Sequence, residues 1–122
     1  MKKKILIADD DESIMDLLQC AFEAADYTVV CCLTGSKLMD IVTKQRPDLI
    51  ILDVMMPGID GYSLQIKLDE NELTKKTPVI IITALPAARV LFEKFPQVKM
   101  FLNKPFETAE LVNKAIELCG GN

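Results

Sequence analysis

Two aspartates, Asp9 and Asp10, directly follow the apolar run at residues 5–8, and a third, Asp53, closes the run Leu49-Ile50-Ile51-Leu52. Thr83 ends the run Val79-Ile80-Ile81-Ile82, and Lys104 follows the stretch from Val98 to Asn103. Brought to one place, these residues would offer hard oxygen ligands and one ammonium group. Crowded carboxylates repel one another, so at least one should have a raised pKa unless a cation joins them. Oxygen donors of this kind select a hard divalent ion, Mg²⁺ above others. A carboxylate held beside such an ion and a lysine can act as a nucleophile toward a phosphoryl group, a reaction governed by positioning and charge neutralisation. Singly, each residue has a structural reading. A strand-ending aspartate is often a helix N-cap, Asp53 could serve the turn before Pro57-Gly58, Thr83 could satisfy backbone, and Lys104 could be a surface charge. Joint placement at successive strand ends favours the site.

That convergence depends on the elements between the residues. Short apolar runs alternate with helical patterns along the whole chain. Residues 12–25 carry Ile14, Leu17, Leu18 and Ala21 at the i, i+3, i+4, i+7 spacing of an amphipathic helix. Residues 27–32 are rich in β-formers and read as a strand. Residues 36–44 place Leu38, Ile41 and Val42 on one helical stripe. Pro57-Gly58 and Asp60-Gly61 mark a loop, and residues 62–70 follow as a helix with Leu64 and Leu68 inward. Residues 86–95 make a weak helix bracketed by prolines. The last helix is expected at 108–119, with Leu111, Val112, Ala115, Ile116 and Cys119 inward and Gly120-Gly121 as its stop. Five β-α units with all-apolar strands predict a parallel sheet covered by helices on both faces. Right-handed crossovers restrict this to a doubly wound sheet, for which we take strand order 2-1-3-4-5. In such sheets ligands bind outside the carboxyl ends of the strands, where the five residues above stand.

The bulk composition excludes several alternatives. The 122 residues suit one domain, taken as residues 1–122, and a net charge of −4 from 14 basic and 18 acidic residues argues against direct nucleic-acid binding. The run Lys2-Lys3-Lys4 reads as a solvated tail. Histidine is absent, which excludes a Ser-His-Asp triad, a histidine metal site and a phosphohistidine donor. Cys20, Cys31, Cys32 and Cys119 form no C-x-x-C pair and are expected to be buried or half-buried thiols in a reducing, cytoplasmic setting. No signal peptide or membrane span is apparent, so no membrane partner is expected.

Four segments carry a family resemblance over essentially the whole length: residues 5–11 (Ile-Leu-Ile-Ala-Asp-Asp-Asp), residues 48–61 around Leu52-Asp53-Val54-Met55-Met56-Pro57-Gly58, residues 78–84 ending Ile82-Thr83-Ala84, and Lys104-Pro105-Phe106. The chain resembles the receiver domains of response regulators in two-component signalling, which have a flavodoxin-like (βα)₅ fold. The resemblance implies Asp53 as phosphoacceptor. It implies Asp10 as a direct Mg²⁺ ligand, Asp9 acting directly or through water, and the backbone carbonyl of Met55 as a further ligand. Mn²⁺ could substitute. The Thr83 hydroxyl and the Ala84 amide would meet the phosphoryl oxygens, Lys104 would pair with them, and Phe101 would be the switch aromatic. The Lys104-Pro105 bond would be cis. The implied partners are a histidine kinase or histidine phosphotransfer protein upstream and a protein target that reads the face of helix four, strand five and helix five. The implied activity is that of a switch which catalyses its own phosphorylation and dephosphorylation, not of an enzyme with a separate substrate.

Two departures stand out. Met55 and Leu85, two residues past Asp53 and Thr83, are apolar and should shield an acyl phosphate from water. Residues 85–100 replace the usual longer helix four and Gly-Ala turn, so helix four should be short, tilted or mobile. Of Val90, Leu91 and Phe95, at least two are expected in the core. A stand-alone receiver is the leading reading; a receiver within a larger transcription factor or hybrid kinase is the second. An aspartate-nucleophile phosphotransferase or hydrolase is a third, weakened because Met55 occupies the place where such enzymes carry a general acid. A flavin-binding module is a fourth, weakened because residues 9–13 are acidic and lack the glycines of a phosphate cradle.

Overall fold

A computed structural model describes residues 2–56, 58 and 60–119. Its elements are β1 (Lys4–Ala8), α1 (Glu12–Ala24), β2 (Thr28–Cys32), α2 (Leu38–Gln45), β3 (Leu49–Asp53), α3 (Gly61–Glu70), β4 (Val79–Thr83), α4 (Arg89–Phe92), β5 (Val98–Asn103) and α5 (Thr108–Cys119). The strands form one parallel sheet, as the alternation of patterns predicts, in the order β2-β1-β3-β4-β5 taken above. β3 and β4 are buried at every residue. Their uninterrupted apolar runs are what a strand covered on both faces requires.

Side chains alternate across this sheet into two cores. One holds Ile5, Ile7, Leu49, Ile51, Ile80 and Ile82 against α1 and α5; the other holds Leu6, Ile50, Leu52, Val79 and Ile81 against α2, α3 and Phe92 of α4. Helix starts are fixed locally. Asp11 caps α1, its Oδ1 accepting from the amides of Ser13 (2.9 Å) and Ile14 (3.3 Å), and Asp60 caps α3 through the Ser63 amide (2.9 Å). Gly61 opens α3 because a Cβ there would lie 2.7 Å from the Cα of Val54, so only glycine lets the helix start press on the end of β3. Gly58 adopts φ +103° in the same loop, a backbone region that side chains rarely tolerate.

Several assignments shift in phase. α1 buries Met15, Leu18 and Phe22; Leu17, expected inward, is 55% exposed, and Ile14 and Ala21 are only half-buried. The same i, i+3, i+4 pattern fits either phase, and the bulkier Phe22 decides it. On α5, Leu111 and Ala115 are buried while Ile116 is exposed. The expected stop at Gly120-Gly121 lies outside the described residues. Cys20 and Cys31 are exposed, contrary to the expectation of burial, whereas Cys32 is buried and Cys119 half-buried. Cys31 and Cys32 point to opposite faces of β2, an edge strand covered less completely than the strands inside the sheet.

The region after β4 is the most distinctive. A 3₁₀ turn at Pro86–Ala88 leads into an α4 of one turn, as the bracketing prolines suggest. Val90 (71% exposed) and Leu91 (50%) face solvent and only Phe95 is buried, so one of the three joins the core, not two. A short helix has too few turns to bury a broad stripe, and Phe92 takes the inward position. Beyond it Gln97 is buried. Its Nε2 donates to the carbonyls of Thr74 (3.0 Å) and Thr77 (2.8 Å), and its Oε1 accepts from Gln65 of α3 (2.8 Å). This clasp ties the α4–β5 junction to the α3–β4 loop. Among the described residues no helix is long and apolar enough to cross a membrane.

Candidate functional site

The reversal of strand order between β1 and β3 opens a crevice at their carboxyl ends. Asp9 and Asp10 leave β1 there and Asp53 ends β3. Asp9 and Asp53 are buried and Asp10 is exposed. One carboxylate oxygen from each falls within 4.8 Å of the others. Asp10 lines a cleft of about 530 Å³ together with Val54, Met55, Met56 and Asp60. Lys104 reaches the same point from beyond β5. Its Nζ donates to Asp53 Oδ2 at 3.2 Å and lies 3.0 Å from Asp9 Oδ2. The Lys104 amide donates to the Thr83 carbonyl at 2.7 Å, and the Lys104-Pro105 bond is cis.

Local backbone groups orient the acids. Asp9 Oδ1 accepts from the Asp11 amide at 3.0 Å, and Asp53 Oδ1 accepts from the Met55 amide at 3.2 Å. Burial, then repulsion from Asp9, pushes the Asp53 carboxyl up to about 6, outweighing the Met55 amide and Lys104. Burial pulls the Lys104 ammonium down, but hydrogen bonding and attraction from Asp9 and Asp53 outweigh it and leave its pKa raised. The two directions are compatible. One ammonium shared between two buried carboxylates is well compensated, while each carboxylate receives only part of a charge.

Asp9 Oδ2 shows the same deficit. It is buried, and the contact it makes among the described residues is the ion pair with Lys104 at 3.0 Å, an ammonium that Asp53 also claims. A buried carboxylate oxygen left in this way, beside two further carboxylates, fits a hard divalent cation. The residues present therefore suit Mg²⁺.

Of the remaining predicted residues, Thr83, Ala84 and Leu85 stand at the carboxyl end of β4, the strand beside β3, and Met55 lines the cleft. Thr83 is buried, and its Oγ1 accepts from the Leu85 amide at 2.9 Å; its hydroxyl hydrogen remains to be donated elsewhere. Ala84 follows at the exposed end of β4. Met55 is 60% exposed at the cleft, and Leu85 is also exposed. Phe101 stands apart, half-buried on β5 with its ring centroid 6.3 Å from that of Phe92. The sequence reading missed Val54, Met56 and Asp60 as cleft residues, though their place in the loop after Asp53 was a usable signal. It also missed a groove of about 310 Å³ in which Ile14, Leu17, Pro105 and Phe106 adjoin Lys104. The exposed Leu17 belongs to that groove.

Residues 5–116 match the family described as the response regulator receiver domain, and the chain belongs to that family, the signalling switches of two-component systems. It is 36% identical over 110 residues to the DNA-binding dual master transcriptional regulator RpaA of Synechocystis, covering 89% of this chain and 46% of RpaA. The chain thus spans about half the length of that relative. Among solved structures, the Francisella response regulator 1452 receiver domain superposes with TM-score 0.86 at 30% identity over 98% of both chains. The receiver domain of sensor histidine kinase PA1611 from Pseudomonas aeruginosa PAO1 superposes with TM-score 0.86 at 25% identity, over 99% of this chain and 100% of that one. It has a magnesium ion coordinated in its active site cleft.

Proposed function

We propose that residues 1–122 act as one receiver unit that accepts a phosphoryl group onto Asp53 from a phosphohistidine donor, a histidine kinase or histidine phosphotransfer protein. The observation that carries this reading is the shared pocket: three carboxylates within 4.8 Å of one another and the Lys104 ammonium 3.2 Å from Asp53. When bound, Mg²⁺ would be held by Asp10, Asp53, the Met55 carbonyl and Asp9 directly or through water, and would neutralise charge on the incoming group. Mn²⁺, with similar ligand preferences, should substitute. Asp53 Oδ2, beside Lys104, attacks phosphorus, and the bond from phosphorus to the donor nitrogen breaks. Lys104 follows the charge from the carboxylate to the phosphoryl oxygens. The Thr83 hydroxyl and the Ala84 amide donate to those oxygens.

The switch follows from added charge. An aspartyl phosphate brings negative charge and strong acceptor oxygens to a buried strand end. Thr83 turns toward them, Phe101 turns into the space released, and the face of α4, β5 and α5 changes for a downstream protein. Catalysis is confined to the domain's own phosphorylation and dephosphorylation. The exposed apolar side chains of Met55 and Leu85 offer no hydrogen bond to an attacking water and so slow phosphate loss. Incubation with Mg²⁺ and acetyl phosphate should add one phosphoryl group by intact mass to the wild type and none to Asp53→Ala. Uptake by Asp53→Ala sinks the assignment of the acceptor.

Signalling by protein contact alone, in a cytoplasmic stand-alone receiver without nucleic-acid or membrane contact, is the first form of this reading. The match to 46% of RpaA favours a second form, in which the same switch governs the remainder of a larger regulator. The size of the native protein in its source cells separates the two.

A further inference from the structure

Met55 is the exposed methionine among the described residues; Met15 is buried and Met39, Met56 and Met100 are half-buried. It lines the cleft that holds Asp10, and its amide is hydrogen-bonded to Asp53 Oδ1. The most accessible thioether of the described chain therefore stands at the mouth of the phosphoacceptor pocket. We propose that Met55 is a site of oxidation by peroxide whose sulfoxide shortens the life of the aspartyl phosphate. The inference rests on the phosphoacceptor reading of Asp53.

The modification is a two-electron step. A sulfur lone pair attacks one peroxide oxygen, an S–O bond forms as the O–O bond breaks, and the proton on the transferred oxygen passes, through solvent, to the departing hydroxide, which leaves as water. Sulfur is oxidised and peroxide is reduced. A thiol-dependent sulfoxide reductase returns the thioether. The change at the site is large. A thioether is soft, hydrogen-bonds weakly and has no affinity for Mg²⁺. A sulfoxide oxygen is hard and accepts strong hydrogen bonds. Placed on the cleft wall, it can hold a water beside the phosphoryl group where the native side chain excludes one. The half-buried Met56 faces the same cleft but packs against the inner core, which protects its sulfur.

The test treats the full chain with dilute hydrogen peroxide, removes the oxidant and reverses cysteine oxidation with dithiothreitol. Oxidised methionines are mapped by peptide mass, and the protein is labelled with radioactive acetyl phosphate and Mg²⁺ to time phosphate loss. The expected result is first oxidation at Met55 and a lifetime about threefold or more shorter, within the range that positioning a water can supply. Sulfoxide reductase should restore the lifetime. Met55→Leu should show a treated-to-untreated lifetime ratio near one, whatever its own basal rate. An unchanged lifetime with Met55 oxidised, an equal effect of peroxide on Met55→Leu, or oxidation elsewhere while Met55 stays reduced overturns the proposal. If the untreated protein takes no label, the reading of Asp53 as acceptor fails, and this inference falls with it.

Discussion

The residue that sets the tone of the site is Asp53, because the fold holds it in a state it resists. Its carboxyl titrates near 6 in the folded chain instead of at 3.8. Between those values the folded state keeps a proton that the unfolded chain has shed. Stability of the metal-free protein therefore falls as pH rises through this window; the penalty is absent below the unfolded pKa and complete above the folded one. Urea midpoints of metal-free protein should drop from pH 4 to pH 6.5, and Asp53→Asn should flatten that slope and gain about 1–2 kcal/mol at neutral pH. A slope of the opposite sign would show that Lys104 dominates the pocket. Gln97 makes a second residue-scale case. Gln97→Leu takes the acceptor from the Gln65 amide and the Gln97 donor from the carbonyls of Thr77 and Thr74, the latter keeping the Thr77 amide, and should cost about 2–3 kcal/mol. Adding Gln65→Leu should recover about 1 kcal/mol of this, since a buried amide no longer lacks its acceptor. Strict additivity in denaturation curves would show the two amides to be uncoupled.

At the scale of elements, α4 is the outlier. A single turn, with Glu93 N–H donating to the Arg89 carbonyl, has no ladder to sustain it. It is held by Phe92, fully buried and edge-on to Tyr62 of α3 at 5.9 Å. Phe92→Ala should cost about 3–5 kcal/mol by equilibrium unfolding. Amides of residues 88–93 should lose what protection from hydrogen exchange they have. If those amides keep native protection in the variant, local hydrogen bonds hold the turn instead of the ring. The surface α4 presents follows from the same brevity. Val90 and Leu91 remain outside because one turn aims only one side chain at the core.

At the scale of the molecule, the proposed metal site would link cation binding to the stability of the fold. A cation that binds only the folded state stabilises it by about 2.7 kcal/mol at a hundredfold excess over Kd. Mg²⁺ should thus raise the melting temperature of the wild type, more at neutral pH than at pH 5, where the raised pKa leaves Asp53 mostly protonated. Asp10→Asn and Asp53→Asn should each remove most of that rise in thermal-shift measurements. An undiminished Mg²⁺ response in both variants would place the ion elsewhere. The chain's half-length match to RpaA adds a further consequence. On the proposed switch, additional segments would read phosphorylation through the face around α4, where Val90 and Leu91 expose apolar surface.

Much of this was legible in the linear chain. The continuous apolar runs, alternating with helical patterns, read as covered strands, and the residues closing them then meet at one sheet edge because parallel strands share their carboxyl ends. That argument yields a doubly wound parallel sheet, within which the order 2-1-3-4-5 was a choice that the structure bears out, and the trio Asp9, Asp10 and Asp53 with Lys104. The phase of α1 was not legible, because two overlapping stripes satisfy the same period and only the packed sheet selects Phe22 over Leu17. Gln97 gave no sign of burial, since a lone amide reads as surface until its donors and acceptors are seen across α3 and the following loop. The exposure of Cys20, Cys31 and Met55, the solitary inward ring of α4, and the sharing of one Lys104 ammonium between Asp9 and Asp53 were likewise decided in three dimensions. Pattern along a chain fixes which elements exist and in what order they pack. Which side chain wins a contested position, and how far a charge is compensated, depends on neighbours distant in sequence.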